Sequence, residues 1–319
     1  MPEQPRSLLT LCVRVLASQL LHGPPPAVAE VPEPELVFAI WEEYDRQLQH
    51  HPSLKGESGL GALLAFTPVW HPQRLTLGLH LQVPALGLSQ LATFGSSLVH
   101  LELCVPELLD LSWTTGLPQL QCLSLRGCSL LPGAALEALQ PLAQLRALDL
   151  VGLPRIDDDA ALHLALLPHL EALHLGETQA GDSVVEALTY GRRLAAWAGA
   201  TGEPLTPEQQ RWPRSRLRRL HLGRTRVTAA SLSHLMALPD LQFLDLRGCG
   251  IWRSALIPLQ QHLGLVTLQG ALLSASNTLA APFLVHDAVE CCCTTKGDST
   301  PLGHRPADAG VGWNSAGST

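Results

Sequence analysis

Ser124, Asp149 and His174 follow one another at intervals of 25 residues. They are the residue types of a hydrolytic triad, in which a histidine sits between the nucleophile and the carboxylate and carries the proton. Here the aspartate holds the middle place, and no Gly-x-Ser-x-Gly elbow surrounds the serine. Catalysis is therefore not expected of them. Glu102 precedes this set at similar spacing, and His221 and Asp245 follow it. Such a series makes either a solvated polar face with incidental pairs or a surface that binds a ligand. Arginine is concentrated at Arg211, Arg214, Arg216, Arg218, Arg219, Arg224 and Arg226. Guanidinium clusters suit bidentate recognition of carboxylate or phosphate. Only Trp212 interleaves them, whereas a single-strand nucleic-acid surface stacks bases on several aromatic rings. The cluster is either a solvated loop and edge or a binding surface, for which an acidic peptide is the favoured partner and RNA the alternative. His286, Cys291, Cys292, Cys293 and His304 lack the Cys-x2-4-Cys spacing of a zinc site, so no metal is expected. Palmitoylation is the other chemistry that the cysteine triplet would admit. No phosphate-binding or dinucleotide fingerprint occurs, and no cofactor is expected.

The polar series is set by a repeat. Leu-x-x-Leu-x-Leu occurs at Leu98-Leu101-Leu103, Leu120-Leu123-Leu125, Leu145-Leu148-Leu150 and Leu170-Leu173-Leu175. It resumes at Leu217-Leu220-Leu222, Leu241-Leu244-Leu246 and Leu263-Val266-Leu268. The starts are 22, 25, 25, 47, 24 and 22 residues apart. A degenerate unit at Leu194, with Trp197 in its second slot, divides the long interval into 24 and 23. This is the leucine-rich-repeat signature, with about eight units and an irregular first unit near Leu75 to Leu81. The expected fold is α/β: a curved solenoid with short parallel strands on the concave face and helices or irregular segments outside. Residues between the second and third leucines then form one ladder: Glu102, Ser124, Asp149, His174, Ala198, His221, Asp245 and Thr267. Strands ~4.8 Å apart would set Asp149 beside His174 and His221 beside Asp245. Arg219 would face the same side. Helices are expected over 134–142, 158–167, 182–188 and 229–238, with Asp157, Gly181 and Thr228 near their starts.

The 319 residues are 46% hydrophobic and 15% charged, enough for a sizeable core. A net charge of −7 argues against a nucleic-acid partner. No apolar run reaches the ~18 residues of a membrane span. Ala27-Val28-Ala29 resembles a cleavage site, but Arg14 interrupts the apolar stretch before it. Asn277 and Asn314 begin no glycosylation sequon. A reduced protein of the cytoplasm or nucleus is expected. Three regions follow: an N-terminal helical module (1–55), the repeats (70–285) and a disordered tail (286–319).

The N-terminal module holds a second constellation. Ser7-Leu8-x3-Cys12-x3-Leu16 puts an apolar ridge on one side of a helix, with Leu11 and Val15 adjoining it. It resembles a BC box, the helix by which substrate receptors dock on elongin C. That resemblance implies that Leu8 fills an apolar pocket, Cys12 packs beside it and Leu16 completes the ridge. A cullin box follows in such receptors, and Pro34, Val37 and Trp41 fit its pattern. Glu33 departs from the first hydrophobic slot, while Val31-Pro32 supplies that start one residue out of phase. BC box, helical module and repeats in this order resemble the Zyg/Zer receptors of cullin-2 ubiquitin ligases. The implied function is substrate recognition, with elongins B and C and a cullin as partners and a protein bound on the repeats. The segment from Val31 to Trp41 also resembles the start of an F-box, which implies a Skp-type adaptor instead. A plainer reading makes these helices a cap on a scaffold or inhibitor.

Overall fold

The computed structural model describes residues 14–18, 34–50, 64, 71–79, 83–201, 204–210, 212–213, 215–268 and 272–274. Seven of its strands pair in parallel: β1 (Arg74–Leu77), β2 (His100–Leu103), β3 (Cys122–Ser124), β4 (Ala147–Asp149), β5 (Ala172–His174), β6 (Arg219–His221) and β7 (Phe243–Asp245). One leucine from each stands in matched register: Leu75, Leu101, Leu123, Leu148, Leu173, Leu220 and Leu244. Each is at most 3% exposed. Burying one such side chain stabilises by about 1.5–3 kcal/mol, but only if the next unit covers it. This mutual covering makes the chain a leucine-rich-repeat solenoid of α/β class.

The return segments are tighter than the sequence implied. Most of the segment expected to be helical at 134–142 is a 3-10 helix, Gly133–Leu139. A 3-10 turn followed by a short α-helix forms at Asp158–Ala160 and α2 (Ala161–Ala165). The same succession forms at Ala229–Ser231 and α5 (Leu232–Leu235). Asp157 and Thr228 start these turns, accepting from the amides of Asp159 and Ala230.

Two expectations are corrected. The degenerate unit at Leu194 is not a strand. It lies inside α3 (Asp182–Thr201), and β5 pairs directly with β6. The run Arg192-Arg193-Leu194-Ala195-Ala196 consists of strong helix formers, and the helix propagates through it. Ala198 is therefore off the concave ladder. After α4 (Pro207–Gln210) the chain returns to β6. The second correction concerns Thr267. Its strand β8 (Val266–Leu268) forms, but β9 (Leu272–Ser274) lies between it and β7, antiparallel to both. Among the described residues no further strand follows, and the β8–β9 hairpin lies at this edge. It follows α6 (Arg253–Leu263), which ends at left-handed Gly264.

Cysteine and threonine stitch the turns beneath the sheet. The Cys128 thiol accepts from the Val105 amide, and Cys249 donates to the Leu222 carbonyl at 2.9 Å. Thr178 and Thr225 donate to the carbonyls of Leu175 and Leu222. These residues stand at one place in the repeat and add side-chain bonds to the buried backbone of the turns. Cys122, Cys128 and Cys249 are free thiols.

Before the repeats, α1 (Pro34–His50) opens with proline at its first position, where the missing amide costs nothing. Val37, Ile40, Trp41 and Tyr44 are buried on it and belong to the same apolar cluster as the repeat leucines. Residues 14–18 are helical and lie against α1 through the Arg14–Glu43 ion pair at 3.4 Å. Leu8, Leu11, Cys12 and the segment 286–319 lie outside the described residues.

Candidate functional site

Alternation along each strand turns the residues beside the buried leucines to the other face. Two rows result. The first runs Thr76, Glu102, Ser124, Asp149, His174, His221, Asp245. It is the ladder expected from sequence without Ala198 and Thr267, and with Thr76 added. The second runs Arg74, His100, Cys122, Ala147, Ala172, Arg219, Phe243. Asp149 does lie between Ser124 and His174, so these three do not form a proton relay.

Two buried carboxylates organise the first row. Asp245, 1% exposed, accepts from Arg247 twice, at 2.9 and 2.8 Å, and from the Arg247 amide. His221 Nε2 stands 2.8 Å from its Oδ2. Burial pushes the Asp245 carboxyl up, but hydrogen bonds from His221 and Arg247 outweigh it and hold it well below the usual carboxylate range. Asp149, 2% exposed, accepts from Arg126 Nε at 2.7 Å and from the Val151 amide at 3.1 Å. There burial wins over Arg126, and the carboxyl is pushed above its ordinary value. The difference follows from donors: Arg126 gives Asp149 one hydrogen bond, whereas Arg247 and His221 grip Asp245 from two sides.

The histidines between them touch. The His174 and His221 rings are 4.8 Å apart and tilted by 42°. Burial, reinforced by the charges of His221 and Arg126, drives His174 down to about 2. It is a neutral imidazole at any ordinary pH. His174 Nδ1 and Asp149 Oδ2 are 3.9 Å apart, too long for a hydrogen bond.

The turn after each strand adapts to this pair. A Cβ on Gly176 would meet the His221 ring at 2.4 Å, so that position accepts only glycine while the ring stays in place. The following position takes a left-handed backbone in five repeats. Glycine fills it at Gly127, Gly152 and Gly248, but Glu177 and Arg224 fill it with φ of 61° and 59°. Those two side chains pair across adjacent repeats at 2.9 Å.

The sequence missed Arg126 and Arg247, which fix the two carboxylates. A signal was present: Leu125-Arg126-Gly127-Cys128 recurs as Leu246-Arg247-Gly248-Cys249. Within the arginine cluster, Arg216, Arg218, Arg224 and Arg226 are exposed, Arg219 is half-buried on the concave face, and Arg211 and Arg214 lie outside the described residues. In the N-terminal set, Val15 is 56% exposed, whereas Leu16 is half-buried against the core. Val37 and Trp41 are 0% and 5% exposed, so their side chains are not presented to a partner. Among the described residues, no group of three His, Cys, Asp or Glu side chains is placed to hold a metal, and no helix is long and apolar enough to cross a membrane.

No protein-family model matches the chain, and no curated protein matches its sequence. Solved structures overlap it in part. An internalin C2 from Listeria monocytogenes is 24% identical over 54% of this chain and 62% of its own, with a TM-score of 0.37. An internalin from the same organism is 22% identical over 54% and 48%, with a TM-score of 0.36. The mouse RP105/MD-1 complex gives 15% identity over 65% and 39%, with a TM-score of 0.36. This chain thus spans less than two thirds of each of those chains. The parallel register and the recurring leucine frame, not these partial overlaps, make the chain a leucine-rich-repeat solenoid.

Proposed function

We propose that the chain is a protein-binding repeat scaffold that takes a partner segment on its concave face. One observation carries this reading: the polar row is preorganised. Asp149 and Asp245 are buried and already held by arginines, and each histidine is packed against the other. A partner then meets a fixed surface and orders little of it on binding. A photo-crosslinking amino acid at half-buried Phe243, on the concave face, should capture the partner. The same group at Leu162, 48% exposed on α2, should not. Crosslinks confined to Leu162 would overturn the proposal.

A second reading makes the scaffold a substrate receptor of a cullin-RING ubiquitin ligase. Elongin C would dock on residues 7–16, Pro34, Val37 and Trp41 would serve the cullin, and the repeats would hold the substrate. The exposure of Val15, which adjoins the ridge, favours it, since an apolar side chain that faces solvent is open to a partner, whereas Leu16 of the ridge packs against the core. The burial of Val37 and Trp41 weighs against the cullin portion. The test is co-purification with elongins B and C. Leu8→Ser combined with Cys12→Phe should abolish it, and stoichiometric binding by that double variant would sink the reading.

A further inference from the structure

Four arginines among the described residues are half-buried: Arg14, Arg126, Arg192 and Arg219. Three have a carboxylate partner, in Glu43, Asp149 and Asp240. Arg219 has none among the described residues. Among the described residues the neighbouring carboxylates are already engaged. Asp245 is held by Arg247 and His221, Asp149 by Arg126, and Glu171, the residue just before β5, by Arg146 at 2.7 Å. His174, uncharged, cannot serve as an anion either. Arg219 is half-buried with no carboxylate partner among the described residues, and a ligand anion would supply one.

The surroundings shape what that anion is attached to. In register, Arg219 stands between Ala172 and Phe243, and Ala147 lies beyond Ala172. Both alanines are under a tenth exposed, leaving a shallow floor beside the guanidinium. Strands continue on either side, so a partner lying there extends past the arginine in both directions. We propose that Arg219 receives the side-chain carboxylate of an aspartate or glutamate within an extended partner segment, whose adjoining residue lies over Ala147 and Ala172. The inference rests on the concave-face binding proposed above. A guanidinium matches a carboxylate with two parallel bonds and one unit of charge. A phosphate chain fits worse, because Asp149, Asp245 and Glu102 share the face and the chain carries −7 overall.

A random peptide library displayed on phage and panned over the full chain tests this. Peptides recovered by the native protein should share an acidic residue at one position. A synthetic peptide of that consensus should bind roughly 10- to 100-fold more weakly to Arg219→Ala and Arg219→Gln. Arg216→Ala, at an exposed position, should bind it unchanged. Panning over Arg219→Glu should select Lys or Arg at the same position. Recovery of peptides with no acidic position, or with one indifferent to Arg219, would overturn this inference and leave concave-face binding standing. Recovery of none would overturn both. Polyuridylate binding lost in Arg219→Ala would assign the arginine to phosphate and overturn the inference as well.

Discussion

His174 and the two aspartates beside it give the sheet an uneven response to acid. A histidine held neutral down to about 2 has an unfolded-state value near 6.5. Between those values the unfolded chain binds a proton that the folded chain refuses. Stability is therefore whole above roughly pH 6.5 and falls below it, by up to about 1.4 kcal/mol per pH unit. Asp245 contributes in the same direction but later, because its depressed carboxyl gives up stability only as pH falls below the ordinary carboxylate range. Asp149 acts with opposite sign: its raised carboxyl costs stability when ionised and recovers it on protonation. Urea midpoints measured from pH 7 to 5 should thus decline, and His174→Gln should flatten the decline by about one proton's slope. The aspartates should also differ as variants. Asp245→Asn removes the charge and sets an amide NH2 in place of one of the two oxygens that accept from Arg247 and His221, so it should cost about 2–3 kcal/mol. Asp149→Asn keeps an acceptor for the Val151 amide and leaves Arg126, 43% exposed, to be hydrated, so it should cost under about 1 kcal/mol. Equal losses in the two denaturation curves would refute this assignment of roles.

At the scale of elements, α3 shows a contact defeating a propensity. Gly191 lies at its middle, where alanine is favoured by about 1 kcal/mol in an isolated helix. A Cβ there would meet the Pro213 carbonyl oxygen at 2.1 Å, and Tyr190 packs edge-on against Trp212 with ring centroids 4.7 Å apart. The backbone cannot yield without carrying that contact away. Gly191→Ala should therefore destabilise, by about 1–3 kcal/mol. Gly199→Ala in the same helix, with nothing within 4 Å of the added carbon, should stabilise by up to about 1 kcal/mol. Thermal melts of the two variants would show opposite shifts. The same helix marks the limit of what the sequence discloses. Six in-phase leucine triplets locate β2 to β7 because each leucine is buried by its neighbours at one spacing, and the polar row follows from alternation. Leu194 imitates the spacing, but local helix formers decide its conformation. Arg126 and Arg247 escaped notice because their roles come from reach, one across a repeat and one within it. Register alone does not encode that reach. Alternation sets Arg219 opposite to the buried Leu220, but its lack of a partner among the described residues is visible only once every neighbouring carboxylate has been assigned.

Over the whole molecule, a solenoid has two ends and each must be covered. The β8–β9 hairpin lies beyond β7 at one edge. At the other, α1 contributes Val37, Ile40, Trp41 and Tyr44 to the cluster that contains Leu75 and Leu77 of β1. Trp41 and Tyr44 also pack ring against ring, with centroids 5.5 Å apart. If α1 caps the array, damage to it should spread inward from the first repeat and fade with distance, because each unit touches only its neighbours. Trp41→Ala removes a side chain that is 5% exposed and should cost about 3–5 kcal/mol. Hydrogen exchange should then accelerate most over β1 and β2, while β6 and β7 keep their protection. A module that folded independently would behave differently: the loss would be confined to α1, with β1 exchanging as before. Elongin binding supplies the complementary readout. A cap that also docks should lose exchange protection in Trp41→Ala and keep its adaptor, because the proposed docking ridge ends at Leu16. Protection and docking therefore separate the two roles in one protein.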